Sequence, residues 1–386
     1  MKLKITHSDA ILVAEGPAGE TRWGRYQFPF LGRIDHHIAL TFHVAEDSAR
    51  AYGEIGESPN RGLSSDGGHT WQLVRATEPT DGLLLPNGDH IRIGLPEVTP
   101  KSIPVGELTL PASVGTLIGT YGQLPYTYYR HDDLPPVLQG VPLSRRTAGS
   151  DRWMEERGRL DDPAVERCTI QEVFPVVWWG DVHLAGDDML LGIVYPCSTS
   201  GEVTCYRSTD FARSWQPQGR IPYDPDLKAD PLAPGRVHGF TEPGSAILRD
   251  GSILVALRTT DGLGVGPMYL TRSRDQGRSW SAPRAVAPTG VMPRLLQLGN
   301  GVIVLSSGRP GVDLRFSCDG VGETWTEPQQ LVPLTSDDVQ ADSCGYTSLI
   351  ALDDDSFLIA YSWFKRPGKD GQLHKAVLVR RITAQI

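Results

Sequence analysis

An eight-residue pattern recurs along this chain, and internal repetition constrains a fold more tightly than any single motif. The first copy is Ser64-Ser65-Asp66-Gly67-Gly68-His69-Thr70-Trp71 and the second is Ser208-Thr209-Asp210-Phe211-Ala212-Arg213-Ser214-Trp215. Ser273-Arg274-Asp275-Gln276-Gly277-Arg278-Ser279-Trp280 is the third. Ser317-Cys318-Asp319-Gly320-Val321-Gly322-Glu323-Thr324-Trp325 is a fourth, longer by one residue. The common frame is Ser-x-Asp-x-Gly-x-Ser/Thr-Trp. Asp and Ser/Thr side chains hydrogen-bond backbone groups inside a tight turn. Glycine supplies a left-handed backbone angle, and tryptophan carries a large apolar surface into the strand that follows. The pattern predicts a self-bonded hairpin turn with an aromatic plug, a stability device with nothing suited to catalysis. The last three copies begin 65 and 44 residues apart, and the first two are separated by 144. Units of that size, with one hairpin each, suit the four-stranded blades of a β-propeller.

The composition fits. Glycine (42) and proline (30) are abundant, as many short strands and turns require, and long amphipathic helical patterns are absent. One closed ring can absorb all 386 residues, so a single domain over 1–386 is expected. The net charge of −9 excludes general attraction to nucleic acid or to an anionic membrane. An acidic ligand would need local arginines to overcome that background. The N-terminus lacks the apolar core of a secretory signal, and no apolar run is long enough for a membrane span. Five cysteines, an odd number without paired spacing, argue for reduced thiols and a cytoplasmic home. A trimmed signal peptide would leave the same sequence and a secreted protein. Cys197 and Cys205 flank a Gly-containing turn and are the one pair spaced to bridge a hairpin.

Residues 1 to about 75 form the first expected blade, with a strand over 38–44. A hairpin follows over 81–93 with Asn87-Gly88 as its turn. The span from about 97 to 170 is irregular and carries Tyr121, Tyr126, Tyr128, Tyr129 and Arg130. As a long insertion over a binding face it leaves six blades; as a complete divergent blade it makes seven. A third blade is expected to begin with Val173 to Trp179 and to continue through a buried strand over 189–195 to the second recurrent turn. Apolar hairpins then repeat over 245–258, 295–305 and 349–361. The last strand, 376–381, is expected to complete the ring by joining the first blade.

Inner propeller strands converge on one funnel, so polar residues at their ends can face one ligand. Glu242 precedes the first of these hairpins and Arg258 ends it. Arg309 ends the next, and Tyr346 opens the last. With these residues in view, the four turns resemble the Asp-boxes (BNR repeats) of the sialidase superfamily. That resemblance implies a propeller, usually six-bladed. It also implies a substrate carboxylate held by arginines, a tyrosine nucleophile assisted by a glutamate, and an aspartate acid/base. Glu242-Pro243-x-Ser245 before an Asp-Gly hairpin resembles the glutamate and second-arginine region, giving Glu242 and Arg258. Arg309 resembles the third arginine. Gly345-Tyr346-Thr347-Ser348-Leu349 resembles the nucleophile region, and Asp47, about 20 residues before the first turn, is placed like the acid/base.

One departure matters. Sialidases carry a first arginine in Tyr/Phe-Arg-Ile-Pro; here the stretch is Tyr26-Gln27-Phe28-Pro29. A neutral amide cannot supply a bidentate cationic clamp, so Arg25 or Arg33 is the alternative source of charge. The resemblance implies an exo-glycosidase acting on an acidic oligosaccharide or polysaccharide, on sialic acid or a related carboxylated sugar, with no cofactor. A rival is a polysaccharide lyase cleaving beside a uronic acid, with an arginine on the carboxylate and His238 and Tyr346 moving protons. A third reading is a non-catalytic glycan- or protein-binding propeller. No clustered ligand spacing points to a catalytic metal.

Overall fold

The computed structural model describes residues 3–47, 59–93, 102–119, 125–170, 172–195, 198–235, 238–259 and 266–386. Tyr121 and Cys197, and with Cys197 any Cys197–Cys205 bridge, lie outside the described residues. Apart from four short 3-10 turns, the regular structure described is all strand.

Three sheets are four-stranded antiparallel meanders in chain order. The first runs Gln27–Ile34, His37–His43, Arg61–Ser64, Gln72–Val74. The second runs Phe240–Ile247, Ile253–Thr259, Met268–Ser273, Arg284–Ala287, and the third Val291–Gln297, Ile303–Gly308, Val312–Ser317, Gln329–Val332. An eight-stranded sheet consists of two such meanders. One is Trp179–Ala185, Met189–Tyr195, Val203–Ser208, Ser214–Ile221; the other is Leu83–Leu84, His90–Ile93, Val141–Arg146, Trp153–Leu160. A short parallel step, Arg159 beside Ser214 and Leu160 beside Trp215, joins them.

The chain ends meet in one sheet. Leu373–Gln385 pairs with Ser356–Pro367, which pairs with Thr347–Ala351. Lys4–His7 and Ile11–Ala18 both add to Leu373–Gln385. The N-terminal strands thus belong to the last sheet, and the 27–74 sheet begins only at Gln27, which corrects the expectation of a first blade from residue 1. Val173–Pro175 is a second correction. It pairs with Ile170 and with Ser102–Pro104 in a separate sheet, and the next meander opens at Trp179. Pro175 has no N–H to continue a ladder. The irregular 97–170 span therefore divides. It contributes Val141–Arg146 and Trp153–Leu160 to a meander. Its other four described strands, Ser102–Pro104, Gly115–Ile118, Pro125–Arg130 and Glu166–Ile170, form that separate five-stranded sheet together with Val173–Pro175.

The apolar strands read as continuous runs because both faces are buried. In Ile253–Thr259, Ile253, Val255 and Leu257 pack on Leu191 and Ile193, while Leu254 and Ala256 pack on Ile303 and Leu305. Val304 then packs with Ile359 and Tyr361, and Leu358 and Ala360 with Leu40 and Phe42. Leu190 and Trp215 share a core with Ile91 and Leu143. The remaining junction is polar: Asp81 N donates to Arg33 O at 2.7 Å, and Asp35 N donates to the Asp81 carboxylate.

The four recurrent turns all lie between the third and fourth strands of their meanders and are built alike. Each Asp accepts from the backbone N–H and the hydroxyl of the following Ser/Thr and from the hydroxyl of the preceding Ser. For Asp275 the distances are 2.9, 2.6 and 2.8 Å, and Asp66, Asp210 and Asp319 match. Tertiary structure adds a role that the sequence does not show. Each turn leans on the preceding sheet: a Cβ on Gly68, Gly277 or Gly322 would come within 2.6 Å of Leu358, 2.4 Å of Cys205 or 2.7 Å of Leu254. In the second copy Arg145 reaches across to Phe211 O at 2.7 Å. The turns are therefore wedges between neighbours.

Those hydrogen bonds hold the Asp275 carboxyl down to about 2 and the Asp66 carboxyl well below the carboxylate range, in both cases chiefly through the following hydroxyl. A depressed carboxyl contributes stability that is complete above the unfolded value and is lost as pH falls through the folded one. The thermal midpoint is expected to be flat above about pH 5 and to fall between about pH 4 and pH 2. Asp275→Asn should melt lower at neutral pH and decline less steeply in acid, as followed by circular dichroism.

Candidate functional site

Three inner strands begin with the same irregularity. Phe28-Pro29, Glu242-Pro243 and Met292-Pro293 each sit where the register slips: between Gln27 and Phe30, Thr241 and Gly244, and Val291 and Arg294. The residue before each proline has positive φ, +53°, +43° and +46°. Such bulges re-aim a side chain out of the alternation of a strand. Here the three converge. The Tyr346 hydroxyl donates to Glu242 Oε1 at 2.6 Å, Met292 N donates to Glu242 Oε2 at 3.1 Å, and the Phe28 ring lies edge-on to Tyr346 at 4.9 Å. Sequence reasoning missed the bulges. The readable signal was a residue-proline pair at the head of each inner strand.

Arg258 stands opposite Thr241 on the adjacent strand, and its Nη1 is 2.7 Å from Glu242 Oε2. Arg309 follows Gly308. Its Nε donates to Cys344 O at 2.9 Å, and its guanidinium lies 5.0 Å over the Trp23 ring. The approach depends on Gly345, at φ +79°, where a Cβ would sit 2.8 Å from Arg309 Cγ and 2.9 Å from Arg309 N. Asp47 joins from the first meander: its N–H donates to Trp23 O at 2.9 Å, and the Trp23 side chain and the Arg309 charge both favour its ionised carboxyl. The structure thus brings Tyr346, Glu242, Arg258, Arg309 and Asp47 into one connected cluster, with Trp23 and Phe28 as members the sequence did not single out.

The other candidates are placed differently. Gln27 neighbours Phe28 and is fully buried, and neither its amide oxygen nor its amide nitrogen has a partner among the described residues. Arg25 is half-buried with Nε 3.9 Å from Glu20 Oε2. Arg33 is not brought to the cluster. It lies six residues beyond Gln27 on the same strand, roughly 20 Å away, and donates to Ala351 O at 3.2 Å. There it lines a cavity of about 640 Å³ that runs along the inner strands, with Arg92, Asp181, His183 and Arg294. The register of a straight strand forbids a residue at its far end from replacing one at its head. His238 is 4% exposed, with the Tyr126 ring 4.3 Å away and the Tyr128 hydroxyl 3.5 Å from Nδ1. The separate sheet therefore closes over it.

Burial alone would raise the Glu242 carboxyl. The Arg258 charge, the Tyr346 bond and Arg309 outweigh it, and the group titrates below its ordinary value. Burial, then the Glu242 charge, holds the Tyr346 phenol well above 10, against the pull of Arg258 and Arg309. Asp47 is raised by burial, opposed by the Trp23 side chain and the Arg309 charge. The resting site is a protonated phenol on an ionised carboxylate, the geometry of a nucleophile with its base. A second carboxyl with an elevated value, suited to giving a proton, completes it. Among the described residues no group of three His, Cys, Asp or Glu could hold a metal ion.

No protein-family model and no curated protein matches the chain by sequence. Solved structures do match by shape. A protein of unknown function from Dyadobacter fermentans DSM 18053 is 18% identical with a TM-score of 0.60, covering 98% of this chain and 99% of that one. A point mutant of the NanB sialidase from Streptococcus pneumoniae is 13% identical with a TM-score of 0.52, covering 97% of this chain and 70% of that one. The chain has an all-β, sialidase-like propeller fold.

Replacing Glu242 with Gln removes a negative charge beside Tyr346 and leaves two guanidinium groups. The Tyr346 phenol is then expected to titrate at lower pH than in the wild type. Absorbance near 295 nm checks this, with Tyr346→Phe subtracted to isolate one phenol among 12.

Proposed function

We propose that the chain is a sialidase-like exo-glycosidase that hydrolyses a terminal acidic sugar. The ring is read as six-bladed, counting the eight-stranded sheet as two blades, with Asp-boxes on four of them and the five-stranded sheet as an insertion. One observation carries the functional reading: a half-buried phenol donates at 2.6 Å to a carboxylate whose other oxygen is 2.7 Å from a guanidinium nitrogen.

In the first step Tyr346 oxygen attacks the anomeric carbon while Glu242 takes the phenolic proton. The bond to the leaving oxygen breaks, and Asp47 protonates that oxygen. In the second step Asp47 removes a proton from water, which attacks the same carbon; the tyrosyl bond breaks, and the phenolate recovers its proton from Glu242. Two displacements give retention of configuration. A phenol is an apt nucleophile beside a carboxylate because it brings no second negative charge. Arg309 binds the substrate carboxylate, with Arg258 shared between that role and Glu242. Gln27 at the place of an arginine leaves the clamp with less positive charge, which favours a carboxylated sugar other than sialic acid.

Tyr346→Phe is expected to lower turnover at least a thousandfold while leaving the melting curve and the binding of the acidic product intact. Full residual activity removes Tyr346 as nucleophile. A panel of acidic glycans decides the class: new reducing ends without ultraviolet absorbance mark a hydrolase, unsaturated uronates mark a lyase, and neither product marks a binding module. Activity needs Glu242 ionised and Asp47 protonated. With the first lowered and the second raised, kcat/KM is expected to peak in the acid range, and Asp47→Asn to remove the alkaline limb.

A further inference from the structure

Trp23 touches both parts of the cluster that the chain keeps on separate segments. Its carbonyl accepts from Asp47 N at 2.9 Å, and its side chain lies on the Asp47 carboxyl side, where it favours the charged form of that carboxyl. One face lies 5.0 Å from the Arg309 guanidinium carbon. Its edges meet Phe28 at 6.1 Å and Phe364 at 6.0 Å, and Phe28 in turn meets Tyr346. Phe364 is fixed from behind by Lys375, whose Nζ lies 4.5 Å over its ring and donates to Arg22 O at 2.6 Å. The neighbouring Gly24, at φ +96°, lets the turn close on Asp47: a Cβ there would stand 2.2 Å from Asp47 N and 2.8 Å from Asp47 Cβ. An indole with one N–H and two faces is the side chain able to bond a carboxylate and stack on a guanidinium at once.

We propose that Trp23 is the positioning residue that holds Asp47 and Arg309 in one fixed relation, so that the proton donor and the carboxylate-binding guanidinium stay in register on a bound sugar. The inference rests on the roles given to those two residues above. The charge that bears on Asp47 is Arg309; Glu46 adjoins it in the chain, Glu20, Arg22 and Arg25 lie on the Trp23 segment, and Lys375 sits behind Phe364. Removing the indole N–H takes away an interaction that favours the Asp47 carboxylate, so the group stays protonated to higher pH.

Two measurements on the full chain test this. In 15N-labelled protein the chain has nine tryptophans, and the indole resonance lost in Trp23→Phe identifies Trp23. That resonance is expected to shift through one titration between about pH 3 and pH 9, and Asp47→Asn should flatten it. A flat wild-type resonance, or a titration that survives in Asp47→Asn, overturns the proposal. In kinetics with 4-nitrophenyl glycosides of sialic and glucuronic acid, Trp23→Phe keeps a ring but loses the N–H. It should move the alkaline limb of kcat/KM up by roughly one pH unit with little change in KM. Trp23→Ala also loses the stack, and KM should rise roughly fivefold to thirtyfold. An unmoved limb in Trp23→Phe overturns the positioning role even where Asp47→Asn is inactive. Absence of hydrolysis of any acidic glycoside by the wild type overturns the enzymatic reading beneath it, whatever the indole resonance does.

Discussion

Burial of both faces of the second strand in most of the meanders is the constraint from which the rest of the structure follows. A strand such as Ile253–Thr259 has no polar face to turn to water, because Ile253, Val255 and Leu257 alternate with Leu254 and Ala256. A sheet built on it needs a neighbour on each side, and so does that neighbour. An open row of such sheets would leave apolar faces at its ends. A ring leaves none, and pairing the N-terminal strands with Leu373–Gln385 closes it from both ends of the chain. The four recurrent turns serve the same end. Each is bonded internally, so it keeps its shape, and each presses against the preceding sheet, so the angle between neighbours is set by side-chain contact.

Ring closure brings the heads of the inner strands together, and the residue-proline bulges decide which side chains point into that space. Glu242 sits at one of them, and its two oxygens take the Tyr346 hydroxyl, the Arg258 guanidinium and Met292 N. These partners come from three different sheets. The carboxylate thus ties the sheets together at the place where the candidate chemistry sits. A charge buried there is tolerable because it is paired and fully hydrogen-bonded. The same partners shape its behaviour. Arg258 keeps Glu242 ionised, and Glu242 keeps the Tyr346 phenol protonated until a step can move that proton. Asp47, with burial and fewer opposing charges, is set the opposite way. Two carboxyls of one site are driven apart by their surroundings, the arrangement that the proposed acid and base would use.

Much of this was readable before any coordinates. The Ser-x-Asp-x-Gly turns, the Asp-Gly and Asn-Gly hairpins and the two-sided apolar strands follow from local chemistry, and they imply sheets in sequence order. The four positions at strand ends, Glu242, Arg258, Arg309 and Tyr346, were visible as breaks in that repeat. Less was visible where distant segments had to meet. Residues 4–18 carry no mark of belonging to the last sheet, because any edge strand would accept them. Val173–Pro175 resembles the start of a meander until its partner, Ser102–Pro104, is known. Arg33 and Gln27 lie close in sequence, yet strand extension separates them by most of the height of the ring.

The sequence by itself determined the repeating unit and its turns and marked the candidate site side chains, because each depends on interactions within a few residues. Only the tertiary structure decided which of those side chains share a site. Contact between Tyr346 and Glu242, or between Trp23, Asp47 and Arg309, joins residues far apart in the chain, and closure of the ring sets their distances.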